Sequence, residues 1–381
     1  MKLTKFEGNP ILSPCEGSWW ESACATNPAA WYENGRVRLL YRAGPNTDDH
    51  PVFFGLAESV DGYHFERMFE APVFYPSRDG FDSGCVEDPR VVKFDDTYFV
   101  TYATRKFRPG AYWTKKFKLT DHNPSLPASA PSAARENISR SGLALTKDFL
   151  TWHRMGPITP ASVDDRDAIL FPEKVGGNFV MLHRPEAWCG YGYRCTKPSI
   201  WIGLSRDVLS WGHDYLLAEP MYDWESKKIG ANAPPIKTDK GWLLLYHGVT
   251  DDYHYRVGAL MLDLEDPRRV LARTPKPILE PEEDYETTGL IPNVVFPCGN
   301  VVIGDNLFVY YGGADKYCAV ATAPLAKLVD YVMSCAVAKK PAFGVHQDVG
   351  TRFSSPLATL NPRETTGCPT PSVIWPPTPS F

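Results

Sequence analysis

The sequence lacks the features typical of membrane, nucleic-acid-binding and exported proteins. No run approaches the roughly 18 uncharged apolar residues that a membrane-spanning helix needs. Basic residues are not in excess, because 40 Lys and Arg stand against 45 Asp and Glu and the net charge is −5. We therefore expect neither a nucleic-acid partner nor a membrane partner. Residues 1–10 also contain no apolar stretch of signal-peptide length.

Patterns of cysteine and of metal ligands are equally sparse. The nine cysteines are odd in number and include no CxxC pair. Together with the missing export signal, this favours reduced thiols and a cytoplasmic location. No spacing of His, Cys and carboxylate residues indicates a metal site, so we expect no bound metal.

Turn-forming and aromatic residues, in contrast, are abundant. The chain contains 29 Gly and 35 Pro, and 13% of its residues are Phe, Trp or Tyr. Many turns combined with many aromatic residues favour β structure. The hydrophobic fraction of 43% is sufficient for a large core.

A short apolar strand that follows a turn signal recurs five times. A proline lies at the start of each unit, and a third strand follows in each. Units of three or four antiparallel strands bury both faces when they stack radially. We therefore predict an all-β fold, a five-bladed β-propeller over residues 1–340, in preference to two β-sandwich domains. The five strands are Val37–Arg42, Tyr98–Ala103, Phe179–Arg184, Trp242–His247 and Leu307–Gly312, and the prolines are Pro28, Pro89, Pro172, Pro235 and Pro297.

Two segments interrupt this phasing. Residues 106–139 lengthen the interval between the second and third prolines and carry a basic cluster, Lys115, Lys116 and Lys118. We interpret them as a long loop insertion over one face that serves either as a lid or as an oligomer contact. A homo-oligomeric assembly is therefore one of the alternatives. Residues 341–381 are rich in proline and form a predicted C-terminal tail without identifiable chemistry.

Polar residues recur in phase with the repeat. Because the inner strands of a propeller converge on one axial pocket, we expect these side chains to meet there. A carboxylate beside several cations, among aromatic residues, suits a sugar and an anion together. Near the prolines the residues are Asn27, Asp88, Glu173 and Lys174, and at the ends of the second strands they are Arg42, Arg105, His183, Arg184, His247 and Asp315.

Many short strings, in order and in phase from about Asn9 to about Leu328, resemble those of one enzyme family. The chain resembles the inverting β-mannoside phosphorylases of glycoside hydrolase family 130. That resemblance implies a five-bladed propeller that cleaves β-mannosides with inorganic phosphate as co-substrate, giving α-D-mannose 1-phosphate without any other cofactor. The strings include NPAA (27–30), EDPRV (87–91), FPEK (171–174), MLHRP (181–185), KIGANAPPI (228–236), LLYHGV (244–249) and VYYGGAD (309–315).

The same resemblance implies roles for individual residues. Asp88 corresponds to a single general acid. Arg105, Arg140, Lys174 and His247 correspond to phosphate-binding cations. Asn27, Arg42 and Asp315 correspond to residues that hold the mannosyl ring. His183 and Arg184 are interpreted as substrate-binding residues or as structural supports of the pocket wall.

The numbers of acidic and basic residues predicted in the pocket help to distinguish hydrolysis from phosphorolysis. An inverting hydrolase needs an acid and a base that activates water, whereas phosphate is already an anionic nucleophile. Two alternatives stay open: an inverting β-mannosidase, with Glu173 as the candidate base, and a non-catalytic sugar-binding propeller. A second EDPR string, Glu265–Arg268, is out of phase and is interpreted as a surface turn.

Overall fold

The structure is a computed structural model that describes residues 1–114, 126–127, 129–130 and 137–335. The predicted tail (341–381), the three-lysine cluster and most of the predicted 106–139 loop lie outside the described residues. Short helical segments are few in the described chain. Among the described residues, no helix has the length and apolar character required to cross a bilayer. The α-helices are α1 (Asp284–Thr287) and α2 (Leu325–Ser334), and short 3₁₀ turns cover Tyr112–Thr114 and Asp223–Glu225.

The strands form five small antiparallel sheets. In chain order they are β1 (Thr4–Lys5), β2 (Cys24–Glu33), β3 (Arg36–Gly44), β4 (Phe53–Ser59), β5 (Glu66–Arg67), β6 (Cys85–Phe94), β7 (Thr97–Arg105), β8 (Arg140–Thr146), β9 (Trp152–Pro157), β10 (Asp165–Leu170), β11 (Phe179–Pro185), β12 (Ile200–Ser205), β13 (His213–Ala218), β14 (Lys228–Ala231), β15 (Ile236–Thr238), β16 (Gly241–Val249), β17 (Tyr255–Leu262), β18 (Val270–Arg273), β19 (Val295–Ile303), β20 (Asn306–Gly313) and β21 (Tyr317–Pro324).

Each sheet is one blade of a five-bladed β-propeller, which confirms the predicted fold. Blade 1 is β2-β3-β4-β5, blade 2 is β6-β7-β8-β9 and blade 3 is β10-β11-β12-β13. Blade 4 is β14-β16-β17-β18, with β15 also paired to β16. Blade 5 is β19-β20-β21-β1, so the amino-terminal strand closes the ring by pairing Thr4 with Thr322.

Apolar side chains between neighbouring blades make up the core. Leu243 and Leu245 of blade 4, for example, pack with Val309 and Tyr311 of blade 5, and all four are fully buried. Helix α2 covers the same cluster. This packing fixes the inner strands, whose starting ends surround the axis.

The inner strands of blades 1 to 3 share a local distortion near their starting ends. Pairing in β2, β6 and β10 shifts register there. The first distorted residue has a positive φ in each case: Asn27 (47°), Asp88 (51°) and Asp167 (57°). Such bulges redirect a side chain and end regular pairing. All three side chains line one cavity at the axis.

The bulges correct the phase that the prolines predict for blade 3. Pro28 and Pro89 directly follow their bulge residues, but the equivalent residue in blade 3 is Ala168, after Asp167. Pro172 instead lies beyond the end of β10, in the connection to β11. Because proline is accepted wherever no ladder hydrogen bond is needed, its position alone does not identify the bulge.

Candidate active site

The central cavity has a volume of about 260 Å³ and is lined by residues of all five blades. Six of the ten predicted site residues line it. Sequence reasoning did not select Glu87, Tyr112, Arg166, Asp167, Lys228, Tyr253, Tyr255 or Phe296, which also line it. In the part of the chain that the structure describes, no group of three or more His, Cys, Asp and Glu residues could hold a metal ion. The six predicted residues are Asn27, Arg42, Asp88, Arg184, His247 and Asp315.

Asp88 lies in a hydrogen-bonded cluster contributed by blades 1 and 2. Its Oδ1 accepts a hydrogen bond from Asn27 Nδ2 at 2.7 Å and one from Arg42 Nη1 at 3.2 Å. Arg42 Nη2 also lies 3.6 Å from Glu87. The side chain of Asp88 keeps 17% of its surface exposed, so it is accessible from the cavity. A Cβ at Gly312 would collide with the side chain of Asn27, so glycine is required there.

Arg90, the last residue of the EDPR string, fixes the backbone of Asp88. Its Nη1 donates to the Asp88 carbonyl at 2.7 Å, and its Nε donates to the Asn232 carbonyl of blade 4 at 3.0 Å. The guanidinium also lies 3.6 Å from Asp167 of blade 3 and over the ring of Phe296 of blade 5. One buried side chain therefore connects four blades around the axis.

Asp315 is a buried carboxyl group in the turn between β20 and β21, where φ is 52°. Burial raises the pKa of Asp315 to about 6, with Asp88 and Glu87 acting in the same direction and Arg42 opposing them. Below that pH the group carries a proton and can donate a hydrogen bond to a ligand.

Three cations face the cavity from blades 3 and 4. Arg166 and Arg184 lie directly opposite each other on β10 and β11, a pairing of like charges that is unfavourable by itself. Arg184 Nε lies 2.8 Å from Asp167 Oδ2. Lys228 Nζ lies 3.2 Å from Glu186 Oε1, and Arg184 also contacts Glu186.

The carboxylates around these cations hold them in place. Arg166 forms a two-pronged ion pair with Asp164, at 2.8 and 3.0 Å. Neither Asp164 nor Glu186 lines the cavity, whereas Arg166, Arg184 and Lys228 do. The positive groups are therefore presented to the cavity and their counter-charges lie mostly behind them.

The pKa of Lys228 records the crowding of positive charge. Burial, reinforced by Arg184 and Arg166 and opposed by Glu186, lowers this pKa to about 8. A bound anion would relieve the repulsion.

His247 is buried beside these cations. Burial lowers the pKa of His247 to about 3, opposed by Asp167 and reinforced by Arg184, so the imidazole is uncharged at neutral pH. Its Nδ1 lies 2.6 Å from Asn232 Oδ1, and its buried Nε2 has no hydrogen-bond partner among the described residues. Because Nδ1 donates to the Asn232 amide oxygen, the Nε2 of His247 offers a ligand a hydrogen-bond acceptor, not the positive charge expected of it from sequence.

Four predicted site residues do not line the cavity, and two of them are on blade 2. Arg105 is buried and donates to the Asn137 carbonyl. The ladder places Ala103 opposite Glu87, at the position that Arg42 and Arg184 occupy in blades 1 and 3. Arg140 begins β8.

The other two are on blade 3. Lys174 is exposed in the connection between β10 and β11, with its ammonium group 4.2 Å from the ring of Phe179. That connection is at the opposite end of β10 from Asp167, because Pro172 is not the blade 3 counterpart of Pro89. His183 is buried between Asp165, at 2.8 Å, and Asp214, at 3.3 Å. It supports the strand that carries Arg166.

None of the three cavity cations was predicted from sequence to bind the anion. Two of them nevertheless lie in sequence patterns that could have identified them. Lys228 is the first residue of the quoted KIGANAPPI string, and Arg166 lies in an acidic-basic-acidic stretch, Asp165–Asp167, at the blade 3 bulge. The second EDPR string behaves as expected: exposed Arg268 contacts Asp266 at 2.7 Å, away from the cavity.

Comparison with known proteins identifies the family. A family model described as β-1,4-mannooligosaccharide phosphorylase matches residues 4–126 and 132–334. The chain belongs to glycoside hydrolase family 130. A 1,2-β-oligomannan phosphorylase from Thermoanaerobacter sp. (strain X514) is 38% identical over 327 residues, covering 84% of this chain and 97% of the relative.

Solved structures share the fold. A β-1,2-mannobiose phosphorylase from Listeria innocua, in complex with β-1,2-mannobiose, superposes with a TM-score of 0.71 at 27% identity, over 88% of this chain and all of that one. A second solved structure is described as evidence that the family of mannoside phosphorylases contains hydrolases acting on β-1,2 linkages of Candida mannan. It superposes with a TM-score of 0.67 at 24% identity, over 84% of this chain and 93% of that one. That second likeness bears on the fold alone.

Proposed function

We propose that this enzyme cleaves β-mannosides by inverting phosphorolysis, with inorganic phosphate as co-substrate and α-D-mannose 1-phosphate as product. The observation that carries the proposal is the group of three cations, Arg166, Arg184 and Lys228, in the same cavity as Asp88. The names of the relatives, which are mannoside phosphorylases, support it.

The sugar side of the cavity consists of Asn27, Arg42, Asp88 and Asp315. Their amide, guanidinium and carboxyl groups hydrogen-bond the hydroxyls of the terminal mannosyl unit. Asp88 acts as the general acid and delivers a proton to the departing glycosidic oxygen. Arg90 keeps the backbone of Asp88 in position during the reaction.

The anion side consists of Arg166, Arg184, Lys228 and His247. The two guanidinium groups bind phosphate oxygens in a directional way, the ammonium adds charge, and Nε2 of the imidazole accepts a hydrogen bond from a phosphate hydroxyl. Bound phosphate attacks the anomeric carbon as the glycosidic bond breaks, so no general base is required. This set replaces Arg105, Arg140 and Lys174 as the proposed phosphate ligands.

Hydrolysis with inversion would need a carboxylate that activates water on the side of the cations, opposite Asp88, and the carboxylates of blade 3 are poorly suited. Glu173 is exposed in the connection after β10 and lies 2.5 Å from Lys237. Burial opposes ionisation of Glu186, but Arg184 and Lys228 lower its pKa to about 2. Asp167 is similarly held by Arg184, with a pKa well below its usual range. Weakly basic carboxylates make poor general bases.

The test is incubation with β-1,2-linked and β-1,4-linked mannobiose, each with and without inorganic phosphate. We expect disaccharide cleavage and mannose 1-phosphate only when phosphate is present. The linkage that reacts defines the specificity. Release of free mannose as the sole sugar product without phosphate would refute the proposal. We also propose a cytoplasmic location, supported by the free thiols of the eight described cysteines.

A further inference from the structure

The central cavity is small compared with an oligosaccharide. Its volume of about 260 Å³ lies below the range of roughly 300–1,000 Å³ that is common for ligand pockets. A terminal mannosyl unit and a phosphate would fill it. Any further units of an oligosaccharide must therefore lie outside it, over the face of the propeller onto which it opens.

A second cavity, here called the distal cavity, lies on that same face between blades 1 and 2. Its volume is about 720 Å³, and its lining includes Trp19, Phe53, Tyr75, Ser83 and Arg108. Phe53 begins β4 after the connection from β3, whose end pairs with the start of β2 near Asn27.

One segment is shared by the two cavities. Residues 105–114 carry Tyr112, which lines the central cavity, and Arg108, which lines the distal cavity. The segment is held to blade 2 by the Gly84 amide, which donates to the Arg105 carbonyl at 2.9 Å. Arg108 also forms an ion pair with Asp49. A chain leaving the central cavity over this rim would reach the distal cavity.

Two aromatic rings of the distal cavity are held outward by their neighbours. Trp19 is 65% exposed and Tyr75 is 58% exposed. The adjacent Trp20 is buried, and its Nε1 donates to the Glu70 carbonyl at 2.9 Å, which joins the two walls of the cavity. Trp19 also packs edge-to-face on Phe53, with centroids 5.7 Å apart. Arg154 donates a hydrogen bond to the Tyr75 carbonyl, so both rings are exposed on anchored backbone.

Exposed aromatic rings that are fixed in a polar-edged cavity indicate a ligand site. Flat aromatic faces suit the C–H faces of sugar rings, while Ser83 and Arg108 supply hydrogen-bonding groups at the margin. Building on the proposed function, we propose that the distal cavity binds the outer units of a β-linked manno-oligosaccharide whose reacting end occupies the central cavity.

The test compares a mannobiose with a manno-oligosaccharide of about six units in the linkage that the enzyme cleaves. In the full chain, Trp19→Ala and Tyr75→Ala should each raise the KM for the longer substrate about fivefold and leave the KM for the mannobiose unchanged. Trp19→Phe should retain most of the affinity. Tyr32→Ala, an exposed aromatic residue at the opposite end of blade 1, is the matched control and should change neither KM.

Each outcome decides the proposal. Equal KM values in wild type and both alanine variants for the longer substrate would overturn it, as would equal losses with both substrates. Binding of the longer oligosaccharide to Asp88→Asn with and without Trp19→Ala, measured by calorimetry, tests the distal cavity without turnover. If the wild type shows no phosphorolysis but this binding difference persists, the proposed function fails and the distal site stands.

Discussion

The two sides of the central cavity differ in how their charges are balanced. On blades 1 and 2 one cation, Arg42, contacts two carboxylates, Glu87 and Asp88. On blades 3 and 4 three cations face the cavity. Asp167 alone among their ion-paired carboxylates lines it with them. The first side suits a neutral, hydroxyl-rich ligand and a proton donor, and the second suits an anion.

The largest expected effect concerns the proton donor. Asp88→Asn keeps the size of the side chain but removes the transferable proton, so kcat should fall about 10³-fold. Steady-state assays with mannobiose and phosphate measure it. The matched control is Asp266→Asn in the second EDPR string, which should leave kcat unchanged. Near-normal turnover by the Asp88 variant would remove Asp88 from the acid role.

Removing the buried support of blade 3 should reduce stability. His183→Phe leaves the buried carboxylate of Asp165 without its partner, which should lower the free energy of unfolding by about 3 kcal/mol. Urea unfolding at pH 7 measures it. His64→Phe breaks an exposed histidine–aspartate pair and should cost less than about 1 kcal/mol. Equal losses in both variants would contradict the supporting role of His183.

The same pair predicts a pH dependence of stability. Asp165 and Asp214 overcome the effect of burial and raise the pKa of His183 to about 10, from an ordinary value of 6.5. The stabilisation is therefore complete below pH 6.5 and is lost as the pH rises towards 10. The difference in unfolding free energy between wild type and His183→Phe should shrink over that range. A constant difference would contradict the assignment.

The anion side is tested by comparing two lysines. Lys228→Ala should raise the KM for phosphate about tenfold to a hundredfold, because a charge-assisted contact is lost, with little change in the KM for mannoside. Lys174→Ala should change neither. The reverse pattern would restore the assignment made from sequence.

The smallest expected effect is the pH dependence of phosphate binding. Because the pKa of Lys228 is lowered to about 8, its positive charge is lost as the pH rises through that value. The KM for phosphate should therefore increase severalfold from pH 7 to pH 9 at constant ionic strength. In Lys228→Arg, which stays charged over this range, the increase should disappear. An identical increase in both enzymes would locate the titrating group elsewhere.

The comparison also explains what sequence alone could predict. The fold and the sugar side of the cavity could be predicted because their signals are local in the sequence. These signals are the five strand repeats and the two bulge residues followed by proline, Asn27 and Asp88. Blade 3 has Ala168 in place of that proline. The sequence pattern therefore pointed to Pro172 as the marker of its inner strand, and Lys174, which follows Pro172, was predicted as a phosphate ligand although it does not line the cavity. Strand register was needed to put Ala103 rather than Arg105 at the cavity position of blade 2. The closure of blade 5 by β1 and the contacts of Arg90 with three other blades depend on tertiary structure.

The most direct test of phosphate as the nucleophile uses inorganic phosphate that carries ¹⁸O at all four oxygens. In the reaction with mannobiose, attack by phosphate oxygen on the anomeric carbon predicts mannose 1-phosphate that retains all four labels by mass spectrometry. If water attacks instead, the mannosyl unit whose anomeric carbon reacts is released as unlabelled free mannose, and no labelled phosphate is incorporated. That result would contradict the account.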